Sequence, residues 1–151
     1  MSKVACVRIL LLIVLQWLAS AKVVPMKQFH NCNNCYAVTA FEVIRYRKPK
    51  LNVTVSELMQ STTQGCSGGD SRKILNHYFT KTKLERGTLY KIISLLKKSR
   101  PLIVDLTPQH LVTVWKATEA GMLIWDPKNG EERVVSKKDH SMKFKYILYV
   151  N

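Results

Sequence analysis

Acidic residues are scarce in this chain. Ten Asp and Glu stand against 24 Lys and Arg, for a formal net charge of +14. The cations, among them Lys81, Lys83, Arg86, Lys97, Lys98, Arg100, Lys137, Lys138, Lys143 and Lys145, are scattered rather than gathered in one block. No aromatic residues interleave them as base-stacking platforms, and no nucleic-acid motif is present, which argues against a specific nucleic-acid reader. The charge is a bias toward anionic partners and no more. Cysteine is also sparse, with four in 151 residues. Long hydrophobic runs are missing: the one candidate, Ile9–Leu18, falls short of the roughly 20 residues that a membrane span needs. There are no repeats, no low-complexity segment and no obvious linker.

That apolar run has another reading. Lys3 and Arg8 precede and enter it, and Ala19-Ser20-Ala21 follows with the small residues of a cleavage site. Residues 1–21 read as a secretory signal peptide, which implies a secreted protein or one in the lumen of the secretory pathway. Removing 21 of 151 residues leaves 130, Lys22–Asn151, enough for one domain with its own core. Lys3 and Arg8 leave with the signal, which takes the net charge from +14 to +12. Cys6 leaves too, and three cysteines remain: Cys32, Cys35 and Cys66. An odd number in an oxidising compartment implies a reactive thiol or an intermolecular bridge. A redox CxxC would need a strand just before it, but residues 23–30 contain Pro25 and show no alternation. A zinc site lacks a clear fourth ligand. No metal and no cofactor are expected.

The central stretch is Gln28–Tyr36, QFHNCNNCY, followed by AVTAFEVIRY. Ala37, Ala40, Phe41 and Ile44 recur at helical spacing, and Asn33 and Asn34 are good N-cap residues. Cys35 is therefore expected at a helix N-terminus. Unpaired backbone N–H groups and the helix dipole favour a thiolate there, and a thiolate is a nucleophile. Pro49 ends this helix. Asn52-Val53-Thr54 is an N-glycosylation sequon, and Thr54 to Glu57 has capping-box spacing for a short helix through Met59. Residues 61–69 read as a loop, Asp70 or Ser71 caps a helix over 72–79, and Thr88 caps another over 89–97. After Pro101 the period changes to short runs rich in Val and Ile: strands over 102–106, 111–117, 122–125, 133–136 and 144–150, with turns at 118–121 and 126–130. Helices first and strands after argue for an α+β domain with a largely antiparallel sheet.

A cysteine nucleophile needs a base, and the base an orienting group. Of the four histidines, His77 falls in a helix, His140 among charges in a loop, and His30 in the irregular entry to Cys35. His110 opens the strand HLVTVWKA and Asp126 closes the next, MLIWD. A hairpin around residues 118–121 brings those two ends together.

In these residues the chain resembles the papain-like cysteine peptidases in a shortened form. Gln28 stands where that family has an oxyanion-hole glutamine, and Cys32-Asn33-Asn34-Cys35-Tyr36 where it has CxxCW. Gly65-Cys66-Ser67-Gly68-Gly69 matches its GCxGG element, and His110 and Asp126 match its histidine and its Asn or Asp. The short length and Asp126-Pro127 are closer to the peptidase C39 group, and the Cys66 element to papain itself. The resemblance implies a papain-like fold, helices packed on a C-terminal sheet. It implies a Cys32–Cys66 disulfide with Cys35 as nucleophile, His110 as base, Asp126 as its orienting group and Gln28 in the oxyanion hole. The implied activity is hydrolysis of peptide bonds in a protein or peptide substrate. The same residues would run deamidation or transglutamination, and a secreted basic binding protein on the same scaffold is the reading from another class. Three departures stand out. Gln28 to Cys35 is one residue longer than the papain pattern, Tyr36 replaces Trp, and Asp126 replaces Asn.

Overall fold

The computed structural model describes residues 34–60, 68–107, 110–138 and 146–151. The expected signal peptide, Gln28, His30, Cys32, Cys66 and His140 lie outside the described residues, and with them the expected Cys32–Cys66 bridge. Among the described residues ten elements follow in chain order: α1 (Cys35–Arg47), α2 (Val55–Gln60), α3 (Gly68–Tyr78), β1 (Thr82–Arg86), α4 (Leu89–Leu96), β2 (Leu102–Thr107), β3 (His110–Thr118), β4 (Gly121–Asp126), β5 (Glu131–Ser136) and β6 (Tyr146–Val150). The strands form one sheet in the order β1-β6-β2-β3-β4-β5, and every neighbouring pair is antiparallel. This is the expected α+β architecture.

Helix α1 is the centre of the molecule. Its apolar positions predict one buried stripe, but every residue from Cys35 to Ile44 is buried. A helix covered on all sides must satisfy or neutralise whatever polar groups it carries. Thr39 Oγ1 donates to the Cys35 carbonyl at 2.8 Å, inside its own helix. Glu42 is 4% exposed, and burial pushes its carboxyl up to about 7 against a lowering pull from Arg45. The helix stops at Arg47, two residues short of Pro49, because the residue before a proline avoids the α region.

The other helices follow local rules. Before α2, Thr54 N donates to Glu57 Oε2 at 2.7 Å and Glu57 N to Thr54 Oγ1 at 3.3 Å, a reciprocal capping box. Thr88 Oγ1 accepts from Lys91 N and caps α4. Helix α3 differs from expectation. It begins at Gly68, so Ser71 is no cap but a buried residue of the helix, and its hydroxyl donates to the Tyr36 carbonyl at 3.0 Å.

The sheet separates two apolar clusters by the period-two rule of strands. Ile103, Leu111, Trp115, Trp125, Leu148 and Val150 pack with α1, α2 and α3. Leu102, Val104, Leu106, Val112, Val114, Ile147 and Tyr149 pack with Ile92 and Leu96 of α4 on the other face. Because both faces are covered, β6 reads as a continuous apolar run and β2 as one broken by Asp105, rather than as alternating strands. The tight β3–β4 turn depends on Gly121, where a Cβ would overlap the Val135 carbonyl. Two bulges interrupt the pairing of β3 with its neighbours. Trp115 is the extra residue between Val114 and Lys116 against β4, and on β2 Leu106 is the extra residue between Asp105 and Thr107, beside His110.

Candidate active site

Cys35 opens α1, directly after Asn34. Asn34 is the N-cap residue, but its side chain makes no capping hydrogen bond. The first turn of α1 carries no acidic side chain, so nothing on the helix offsets the positive end of its dipole. Two hydroxyls hold that turn. Thr39 Oγ1 donates to the Cys35 carbonyl, and Ser71 Oγ reaches over from α3 to the Tyr36 carbonyl. Cys35 itself is 3% exposed and belongs to the same apolar cluster as Leu111, the residue that follows His110 in β3.

At the open end of the β3–β4 hairpin, His110 Nε2 lies 3.0 Å from Asp126 Oδ1. The histidine side chain is 16% exposed and the aspartate 4%. A carboxylate on Nε2 holds the proton on that nitrogen, which leaves the lone pair on Nδ1. The imidazole is thereby fixed in orientation and in tautomer, with Nδ1 as its proton acceptor.

Asp126 has more partners than the sequence suggested. Lys128 N donates to Oδ1 at 3.0 Å, and the Arg133 guanidinium donates to Oδ2 from Nη2 at 3.3 Å and from Nε at 3.4 Å. Burial works against its charge. The His110 hydrogen bond and charge, the Lys128 amide and Arg133 together outweigh that, and the carboxyl sits below the usual aspartate range. Asp126 thus shapes the turn to Gly130 and contacts the histidine at once. Its carbonyl accepts from Gly130 N at 2.8 Å, and Gly130 takes φ +65°, where glycine costs least. Arg133 was not singled out from the sequence. Pairing β4 with β5 around residues 127–130 sets Arg133 opposite Ile124, two positions from Asp126, and that register was its only signal.

His77 lies on α3 and is exposed. Asn52 is exposed in the segment between α1 and α2, where its sequon is accessible. Among the described residues no group of three or more His, Cys, Asp or Glu could hold a metal ion, and no helix is long and apolar enough to cross a membrane.

The fold has solved counterparts. The peptidase domain of Streptococcus ComA, a bifunctional ABC transporter involved in quorum sensing, superposes with a TM-score of 0.66 at 14% identity, over 80% of this chain and 92% of that one. A double-glycine-motif protease from an AMS/PCAT transporter, solved in complex with the leader peptide, gives a TM-score of 0.65 at 18% identity, over 87% of this chain and 94% of that one. No family model matches the sequence, and no curated protein matches it. The chain therefore has the fold of papain-like peptidase domains of the C39 type. At these identities the likeness is one of fold.

Proposed function

We propose that the chain is a secreted cysteine peptidase that cleaves peptide bonds with Cys35, His110 and Asp126. The observation that carries this is the 3.0 Å contact of His110 with Asp126 on a strand packed against the helix that Cys35 opens. His110 Nδ1 takes the proton of the Cys35 thiol, and the thiolate attacks the carbonyl carbon of the scissile bond. Charge moves onto the carbonyl oxygen. The Cys35 backbone N–H, at the positive end of α1, and Gln28 are assigned to stabilise it. As the C–N bond breaks, His110 returns the proton to the leaving amine. Water, deprotonated by the same nitrogen, then hydrolyses the thioester and regenerates Cys35. Asp126 stabilises the imidazolium in both halves, and Arg133 and the Lys128 amide keep its carboxylate charged and in place.

The substrate class is an extended peptide. The complex of the similar transporter protease with a leader peptide supports this reading, and the basic surface favours acidic segments around the cleaved bond. The test is a cleavage profile on a proteome-derived peptide library with the secreted form and its Cys35→Ala and His110→Ala variants. Cleavage by the parent alone is the expected result. Cleavage that persists in Cys35→Ala removes the proposal.

A further inference from the structure

At the far end of α1 from Cys35 lies a hollow of about 310 Å³. Its wall is Tyr46 and Arg47 at the end of α1 together with Leu96, Lys97, Lys98 and Arg100, which run from the end of α4 toward β2. Cys35 and Arg47 stand twelve positions apart on the helix, about 18 Å along the axis. The hollow is therefore separate from the proposed active site.

Four of the six lining side chains are cationic and none is acidic. Among the described residues, none of the four forms an ion pair with a carboxylate. Four like charges line one hollow, Arg47 and Arg100 partly buried and Lys97 and Lys98 exposed, and an anion bound among them is attracted by all four. One buried donor in the wall, Arg100 Nε, has no acceptor. A buried donor left without an acceptor costs on the order of 1–3 kcal/mol, so the wall favours a ligand rich in acceptor oxygens. Tyr46 is 46% exposed and packs edge-on against Trp115, with ring centroids 5.2 Å apart at 76°. That contact holds one flat aromatic face beside the charges. Two arginines offer planar forks that match the oxygens of phosphate, and the lysines add point charge.

We propose that this hollow is an anion site for a compact, multiply charged phosphate ester, held by Arg47, Arg100, Lys97 and Lys98 beside the Tyr46 ring. The phosphate would come from a free small molecule or from a phosphorylated lipid headgroup. The chemistry is the same in both, and experiment separates them.

Pyrophosphate is the probe, titrated calorimetrically into the secreted protein in 0.15 M NaCl. Arg100→Gln is compared with Lys138→Gln, an exposed lysine outside the hollow. Saturable one-to-one binding is expected, weakened at least about tenfold by Arg100→Gln and less than twofold by Lys138→Gln. Should Arg100→Gln fail to fold, the exposed pair Lys97→Gln/Lys98→Gln carries the same expectation. A second arm measures sedimentation with phosphatidylcholine vesicles, with and without phosphatidylinositol 4-phosphate. Binding to the phosphorylated vesicles that pyrophosphate displaces assigns the site to a lipid headgroup. Pyrophosphate binding without vesicle binding assigns it to a free phosphate ester. No saturable binding, or an equal loss in Lys138→Gln, overturns the site and returns these residues to the general basic surface.

Discussion

Replacing Asp126 by alanine removes three contacts at once, and the structure separates their consequences. The first is the His110 bond. A hydrogen bond to a charged partner contributes about 1.5–3 kcal/mol. If that interaction is felt in the transition state, turnover falls by roughly ten- to hundredfold, since 1.36 kcal/mol is one decade. The other two are the Lys128 amide and Arg133, at the head of a turn. Arg133 is 41% exposed, so its ion pair is partly screened by water and adds little. Losing the turn bond costs about 1 kcal/mol, a thermal midpoint lower by a few degrees in a domain of this size. Asp126→Asn keeps an acceptor oxygen for both His110 and Lys128, which share Oδ1, and gives up the charge and the Oδ2 acceptor of the half-exposed Arg133. It should retain most of the turnover and the midpoint. The assay is hydrolysis of the best peptide from the cleavage profile, with calorimetric melting of the same preparations. Normal turnover in Asp126→Ala with a lowered midpoint would refute the reasoning: Asp126 would be a turn residue and the mechanism a Cys35–His110 pair.

Glu42 predicts an inverse pH effect on stability. Its carboxyl is held near 7 in the fold against about 4.5 when unfolded, so its contribution is intact below pH 4.5 and is lost as pH rises through 7, by up to about 3 kcal/mol. Glu42→Gln should raise the thermal midpoint at pH 8 and leave it nearly unchanged at pH 4.5; melting curves at the two values decide this. Asp126 has the opposite sign. Its lowered carboxyl supports the fold above the ordinary aspartate range, and that support goes as pH falls below about 4, an acid-limb loss that Asp126→Ala should blunt. Gly121→Val should cost about 2 kcal/mol or more, because its Cβ would overlap the Val135 carbonyl oxygen, backbone of β5 that is paired to β4; a Tm within about 2 °C of the parent would contradict this. Non-reducing peptide mapping should return a Cys32–Cys66 peptide, and a Cys32–Cys35 peptide would remove both the bridge and the nucleophile.

The parts of the fold that were legible in the sequence are those set by local rules. Cys35 at the head of α1, the Thr54–Glu57 capping box, the Thr88 cap and the run of strands after Pro101 each follow from neighbouring residues. The meeting of His110 with Asp126 was legible because a single short hairpin joins them. What depends on distant packing was not. Strand β1, TKLER, has one apolar residue in five and forms only because β6 lies beside it, with Leu84 opposite Leu148 and Tyr149 Oη donating to Glu85. The insertion of β6 between β1 and β2 has no local signature at all. Nothing local marks Glu42 as buried, and Ser71 reads, with Asp70, as a candidate helix cap. Both are buried because α3 and the sheet close over α1 from opposite sides. The grip of Arg133 on Asp126 was hidden for a simpler reason, since it required the β4–β5 register.

The most direct measurement is the rate of Cys35 alkylation by iodoacetamide as a function of pH, in the parent and in His110→Ala and His77→Ala. If His110 draws the proton from Cys35, the parent reacts rapidly near neutral pH. His110→Ala should slow at least about tenfold there, while His77→Ala keeps the parent rate. Equal rates in the parent and in His110→Ala would contradict the account, because Cys35 would then be a buried thiol that the histidine does not govern.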